Sequence, residues 1–157
     1  MTASSAEGAV EVRFPPQHRG DDDNARRHAG FFALNDWLAG SDQQWLYATG
    51  EDNAYYSHDH GLYFPGGPNW TPELLEQNVD TEYALGADQQ GLDHDELTRL
   101  ATELEQIAQE DIDRQLSNLP ADWPVTDEEL EAVATFADQR RQPVAERIRS
   151  LASGGEQ

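Results

Sequence analysis

Apolar positions spaced three and four residues apart predict a helix over residues 25–38, because they place the large apolar side chains on one face. Those side chains are Phe31, Phe32, Leu34, Trp37 and Leu38. Asn35 and Asp36 lie between them in the sequence and are expected to point away from that face. Gly40 follows, and glycine adopts at low cost the left-handed conformation that ends many helices.

A pair of short strands is predicted next. Residues 45–47 and 54–56 are aromatic, and the polar segment 49–53 between them contains a glycine, as in a β-hairpin. An antiparallel hairpin returns the chain to its starting edge, so Asp42 before it and Asp59 after it are expected at one rim. Two aspartates so placed are common in phosphoryl-transfer sites. One accepts the proton of the nucleophile, and the other holds Mg²⁺ against the nucleotide phosphates.

The chain from residue 71 onwards is predicted to be helical. A short helix over 72–78 follows a threonine and begins with a proline, which are both start signals. Asp93 and Thr126 each precede a glutamate by three residues, the pattern of a capping box. The stripe after the first cap comprises Leu97, Leu100, Ala101, Leu104, Ile107 and Ala108. Pro143 lacks a backbone N–H and is expected to break or kink the last helix.

These patterns predict one α+β domain over residues 25–152, mainly α with a small β-hairpin. The length of 157 residues fits a single domain. Residues 1–24 are predicted to be a mostly disordered polar tail, because they contain adjacent prolines and an acidic, glycine-led turn. Within that tail, residues 10–14 alternate like a short strand. Residues 153–157 are expected to form a loose C-terminus.

Four short motifs resemble those of HipA-like kinases. The segment 37–42 reads WLAGSD and is similar to their catalytic loop, and Asp59-His60-Gly61 resembles their metal-binding element. The segment 119–123, LPADW, and the pair Arg140-Arg141 match the tail of the family. The resemblance spans about residues 31–152, and the fold it implies is the C-lobe of a protein-kinase-like domain.

The resemblance also implies a function. Asp42 would be the catalytic aspartate and Asp59 the Mg²⁺ ligand, while Gln44 would support the bound cofactor. The implied reaction is ATP- and Mg²⁺-dependent phosphoryl transfer to a serine or threonine of a protein substrate.

Two departures from the family pattern support an alternative to the kinase function. The family has a histidine two residues after the catalytic aspartate and an asparagine five residues after it, where this chain has Gln44 and Tyr47. Gln44 or Asn53 would have to replace that asparagine. All ten basic residues are arginines, so an arginine or another chain must supply the cation that kinases place on the phosphates. The alternative is a non-catalytic protein-binding module, either a kinase remnant or half of a split kinase.

Other residues carry weaker hypotheses. His58 and His60 lie two apart on an extended strand and point to one side, so with Asp42 and Asp59 they suggest a small metal-dependent hydrolase. The acidic run 21–23 is interpreted as a solvated turn rather than a cation site. Arg26, Arg27 and His28 are interpreted as a surface patch rather than a phosphate site, and residues 65–70 as a rigid loop rather than a phosphate cradle.

Charge and composition limit the classes of partner that are expected. The formal net charge is −21, which disfavours nucleic acid and anionic membranes as partners. The acidity serves solubility or reflects a salt-adapted proteome. The chain has no cysteine, and neither a run of about 20 apolar residues nor a signal-peptide pattern is present. A cytoplasmic protein that meets a protein substrate or a partner chain is expected.

Overall fold

The computed structural model describes residues 9–12, 15–42, 44–48, 52–83, 89 and 91–154. Within these ranges the elements are β1 (Ala9–Val12), α1 (Asn24–Trp37), β2 (Gln44–Ala48), β3 (Ala54–His58), α2 (Pro72–Gln77), α3 (His94–Gln106), α4 (Gln109–Leu116) and α5 (Asp127–Gly154), with three short 3-10 turns between them. The described chain is therefore mainly helical with a small antiparallel sheet, which confirms the predicted α+β class.

The sheet contains the predicted hairpin and one further strand. β2 pairs with β3 in antiparallel register, with Gln44 opposite His58 and Ala48 opposite Ala54. β1 pairs with the other edge of β2, so part of the strand expected at residues 10–14 is present. The ring of Trp45 is buried, and its centroid lies 4.8 Å from that of His28 on α1. This contact packs the sheet against α1.

Residues 15–24 have defined structure, although they were assigned to the predicted tail. They contain a 3-10 turn, Pro15–His18, and end at Asn24, which is fully buried. The Asn24 amide donates to the carbonyls of His18 and Asn53 at 2.8 and 3.0 Å, and its oxygen accepts from the Tyr55 amide at 2.8 Å. Buried polar groups are retained where they are hydrogen-bonded, and here the bonds tie this segment to the closed end of the hairpin. Residues 1–8, 13–14 and 155–157 lie outside the described ranges, while residues 153–154 belong to α5.

The main core lies between α1, α3 and α5. Its buried members are Ala29, Phe32, Ala33, Leu92, Leu97, Ala101, Leu104, Val144, Ala145 and Ile148. Both predicted caps are confirmed: Asp93 accepts from the Glu96 amide at 2.8 Å, and Thr126 and Glu129 bond reciprocally. The stripe on α3 is confirmed as the core-facing side of that helix, except that Ile107 and Ala108 lie beyond its end and Ala108 is exposed.

The predicted break at Pro143 is wrong, because α5 continues through it from Asp127 to Gly154. Proline removes one intrahelical hydrogen bond. Immediately after it, however, Val144, Ala145 and Ile148 are fully buried in the main core. In proteins most helical stability comes from packing of an apolar face, and here that packing keeps the helix continuous.

A buried arginine joins α5 to α1 and to the segment after α2. The side chain of Arg140 is 0% exposed, and its guanidinium donates to backbone carbonyls at the end of α1 and at residues 78–81. The carbonyls are those of Asp36, Trp37, Asn78, Val79 and Thr81. Burial lowers the pKa of Arg140, and the neighbouring Asp36 carboxylate opposes that shift. Rings of Tyr83 and Phe136 lie 5.4 and 5.2 Å from the guanidinium carbon.

The carboxylate that balances this cation is Asp36, which is expected to lie off the apolar face of α1 and which the structure shows to be buried there. Its side chain is 1% exposed and accepts from Arg140 at 3.0 Å. It also accepts from Arg147 at 2.8 and 3.0 Å and from the Tyr83 amide at 3.1 Å. Asn35 is likewise buried, with its amide donating to the Gly40 carbonyl at 3.0 Å. The polar side chains between the apolar positions of α1 therefore form a second packed face.

We expect Asp36→Asn to lower the free energy of unfolding by about 3 kcal/mol or more, because it leaves the Arg140 charge buried without its carboxylate. Urea unfolding followed by circular dichroism measures the change. Glu105→Gln is the matched control, since it removes the carboxylate of the more exposed Arg149 pair and should change stability little. Equal effects of the two substitutions would contradict the importance given to the buried pair.

Candidate functional site

Asp42 and Asp59 lie in one loop cluster at the open end of the hairpin. Two cross-links bracket this cluster, which comprises residues 41, 42, 44 and 58–62. On one side Gln44 pairs with His58 in the sheet, and on the other the Ser41 amide donates to the Leu62 carbonyl at 3.1 Å. Both aspartates are exposed to solvent.

The end of α1 positions this cluster by a Schellman motif. The Gly40 amide donates to the Asn35 carbonyl at 2.8 Å, and the Ala39 amide donates to the Asp36 carbonyl at 3.2 Å. The left-handed residue is Ala39, with φ of 55°, so the expectation that Gly40 adopts this conformation is wrong. Ala39 is fully buried in a second core cluster, whose other buried members are Leu75, Val133 and Phe136. This packing holds the strained residue in place.

Gly40 is required for a different reason, the close approach of its neighbours. A Cβ at this position would lie 2.2 Å from Asn35 Oδ1 and 2.8 Å from the ring of Tyr63. The chain after the hairpin returns here, where the Phe64 amide donates to the Leu38 carbonyl at 2.9 Å. A residue without a side chain therefore allows the segments that carry the two aspartates to pack on one helix end.

Asp42 is held by its neighbour Gln44, whose amide nitrogen donates to the Asp42 carboxylate at 2.9 Å. The carboxylate lies at a narrow cleft of only about 10 Å³, which is also lined by His58, His60 and Tyr63. A space of this size holds about one water molecule. The surface of Asp42 that a substrate can reach is therefore its solvent side.

Asp59 has a left-handed backbone, with φ of 51° and ψ of 64°, and precedes the 3-10 turn His60–Leu62. It does not line the cleft that His58 and His60 share. The predicted extended strand through these three residues is wrong, because β3 ends at His58 and Asp59 turns the chain into the 3-10 turn. A Cβ on Gly61 would lie 3.4 Å from Asp59 Oδ1, so the carboxylate folds over this glycine. The Asp59 carboxylate is open to an incoming ion.

The quartet proposed for a metal-dependent hydrolase does not assemble. Within the described ranges, no group of three or more histidine, cysteine or acidic side chains is placed to hold a metal ion. His60 instead shares a 2.8 Å hydrogen bond with Ser57 Oγ, and its ring lies 4.9 Å from that of Tyr63. The assignment of Mg²⁺ to Asp59 does not need such a group of protein ligands, because Mg²⁺ is usually bound by one or two carboxylates plus phosphates and water.

Of the two replacements suggested for the missing asparagine, the structure brings only one to the cluster. Asn53 lies at the closed end of the hairpin, where its amide donates to Asp21 at 2.9 Å, so this suggestion is wrong. Tyr47, which occupies the family position itself, faces His18 with ring centroids 4.5 Å apart. Gln44 remains beside Asp42.

The charged residues at the start of α1 are paired. Arg26 binds Asp23 and Glu96, and Arg27 binds Asp22, so the two arginines form a surface patch as interpreted. The carboxyl groups of Asp22, Asp23 and Glu96 therefore have arginine partners. The hydrogen bond that Arg27 donates to Asp22 lowers the pKa of Asp22. His28 is fully buried and does not belong to the patch.

The loop over residues 65–70, which is interpreted as a rigid loop, has a defined turn geometry. Gly66 and Gly67 have φ of 93° and 54°, and a 3-10 turn covers Gly67–Asn69. Trp70 packs on the second core cluster, which includes Phe136 of α5. Thr71 then caps α2 by accepting from the Leu74 amide at 3.3 Å.

No family model, curated protein or solved structure matches this chain. Over the described residues, no helix combines the length and apolar character needed to cross a membrane.

We expect Gly40→Ala to destabilise the protein by about 1–3 kcal/mol, because the added methyl group overlaps Asn35 and Tyr63. Thermal unfolding measures the loss. Gly30→Ala is the control: Gly30 lies within α1, where a Cβ has open space, so it should be neutral or stabilising by roughly 0.5–1 kcal/mol. An unchanged melting temperature for Gly40→Ala would contradict the close packing described here.

Proposed function

We propose that this chain is the aspartate-bearing lobe of a HipA-like kinase and that it supports ATP- and Mg²⁺-dependent phosphoryl transfer to a protein serine or threonine. The observation that carries the proposal is the joint placement of Asp42 and Asp59 in one cross-linked, solvent-open loop cluster. Phosphoryl transfer is catalysed mostly by positioning and charge neutralisation, so two fixed and accessible carboxylates are a suitable minimal set.

The surroundings of the two carboxylates suggest separate roles. Asp42 is oriented by Gln44 and takes the position of the base that accepts the proton of the substrate hydroxyl. Asp59 projects from a left-handed turn and takes the position of the Mg²⁺ ligand. When bound, the Mg²⁺ ion would neutralise charge on the nucleotide phosphates. Gln44, which bonds to Asp42, is the side chain that would support the bound cofactor.

A phosphate-contacting cation has to come from outside the cluster. The sequence from residue 41 to residue 62 contains no arginine and no lysine. Eight of the ten arginines form ion pairs with carboxylates elsewhere in the fold: Arg26, Arg27, Arg99, Arg114, Arg140, Arg141, Arg147 and Arg149. The proposal therefore includes a second chain or segment that provides the cation and covers the nucleotide.

Titration of the full chain with Mg²⁺·ATP, measured by calorimetry, tests the proposal at the binding step. We expect Asp59→Asn to weaken binding at least about tenfold, because it removes the charge that faces Mg²⁺. Asp42→Asn should leave binding nearly unchanged and abolish turnover once the covering partner is added. Asp52→Asn is the matched control, since Asp52 is exposed, has the same φ of 51° and lies at the closed end of the hairpin.

Absence of Mg²⁺·ATP binding by the wild-type chain, or equal binding by Asp59→Asn and the wild type, would overturn the assignment of Asp59. Transfer activity that survives Asp42→Asn would overturn the assignment of Asp42. Asparagine tolerates the left-handed backbone, so the Asp59 and Asp52 substitutions should both leave the fold intact.

A second candidate function is a non-catalytic protein-binding module of the same ancestry. The position of Tyr47 favours it, because its ring packs against His18 where the family pattern needs a metal-binding amide. This function predicts stable complex formation with a partner protein and no phosphate transfer in that complex. Both outcomes are read from the same purified complex, by light scattering and by release of labelled phosphate.

A further inference from the structure

A groove with a volume of about 510 Å³ lies between α1 and α3. We call it the α1–α3 groove. Its walls carry five half-buried apolar side chains: Phe31, Leu34, Trp37, Leu100 and Ile107. Ala33 and Leu104 are buried at its floor. The proposed phosphoryl-transfer function does not use this surface.

The groove exposes apolar surface rather than polar groups that lack a hydrogen-bond partner. The indole N–H of Trp37 donates to the Ala137 carbonyl at 2.8 Å, so the part of Trp37 that lines the groove is its apolar ring. Leu34 and Leu100 lie on the two facing helices. Contiguous exposed apolar patches are uncommon on monomers, and a groove between two helices is suited to another helix.

The charges around the groove are balanced in a chain that is otherwise strongly acidic. Its lining contains three arginines and three acidic residues, namely Arg26, Arg27, Arg99, Asp23, Glu96 and Glu103. The formal net charge of the whole chain is −21. The groove between α2 and α5 differs, because its lining has four glutamates and no basic residue. The groove between α4 and α5 has Asp113 and Glu131 and no basic residue.

This distribution of charge indicates which kind of partner the α1–α3 groove would bind. A basic partner would be drawn to the acidic grooves, and an acidic partner without arginines at its contact surface would meet the carboxylates of this rim with no compensating charge. A neutral surface with both signs interspersed is complementary to itself. In a twofold dimer each patch meets its own copy, so charge balance within one patch is the condition for association of two acidic chains.

We propose that the α1–α3 groove is the contact surface of a homodimer, in which α1 and α3 of one chain pack against α1 and α3 of a second copy. The five half-buried apolar side chains form the centre of this interface. The paired arginines and carboxylates form its rim. The aspartate cluster beyond the C-terminal end of α1 is not part of the surface.

Sedimentation equilibrium of the full chain over a wide concentration range tests the proposal. We expect a reversible dimer, and Leu34→Glu should raise its dissociation constant at least about 100-fold, because a carboxylate would be buried among apolar side chains. Leu119→Glu is the matched control, since Leu119 is also half-buried but lies after α4, outside the groove. Circular dichroism confirms that both variants fold.

Salt provides a second, independent readout. Raising the ionic strength from 0.1 M to 1 M shortens the screening length from about 10 Å to about 3 Å. The overall repulsion between two chains of charge −21 is then screened, so the dimer should become tighter. Dissociation on adding salt would overturn the proposal, because it would mean that ion pairs rather than apolar contacts hold the copies together.

A spin label at one position tests where the two copies touch. The chain has no cysteine, and a side chain at Gly30, which lines the groove, meets no atom within 4 Å. A spin label on Gly30→Cys should show dipolar coupling between copies, because packed helices lie about 8–10 Å apart. A wild-type monomer at every concentration and salt level, or a dimer unaffected by Leu34→Glu, would overturn the proposal. A monomer would leave the groove to a partner of different sequence.

Discussion

One buried cation organises this fold. The guanidinium of Arg140 lies where the end of α1, the segment after α2 and the middle of α5 meet, and its donors bind carbonyls that no helix satisfies. The charge is tolerated because Asp36 and two aromatic rings surround it. Removing a charge from water is costly unless its partners are well placed, so these segments must meet in one arrangement for the cation to be buried. Specificity of packing, more than net stabilisation, is what such a centre contributes.

The candidate site depends on the same centre. Arg140 binds the Asp36 and Trp37 carbonyls, and only a few residues later the chain turns through Ala39 and Gly40 into the loop that carries Asp42. The segment after the hairpin bonds back to this helix end. The two aspartates are therefore exposed side chains on a rigid support, an arrangement suited to binding and positioning. Polar groups buried beneath them hold a site that is itself open to solvent.

The two surfaces of α1 have different characters, and the function proposed for each follows from that difference. Its C-terminal end leads to the exposed carboxylates of Asp42 and Asp59, which form no ion pair with an arginine of the described ranges, as a cation site requires. Its side, together with α3, forms an apolar groove whose rim charges cancel. A dimer formed through the groove would leave both aspartate clusters accessible. Excess negative charge elsewhere on the chain would keep such dimers soluble and apart.

Local sequence patterns predict the element types, the N-caps at Asp93 and Thr126, the hairpin and the position of Asp42 and Asp59 at one end of it. These features depend on local spacing and on the return of an antiparallel strand. The tertiary structure alone decided the burial of Asp36 with Arg140, the left-handed turn at Ala39, the continuity of α5 through Pro143 and the separation of Asn53 from the site. Each of these is set by partners between about 20 and 100 residues away or by core packing. Local patterns report a residue's neighbours along the chain, whereas the cost of a buried charge or a strained turn is offset by atoms that only folding brings near.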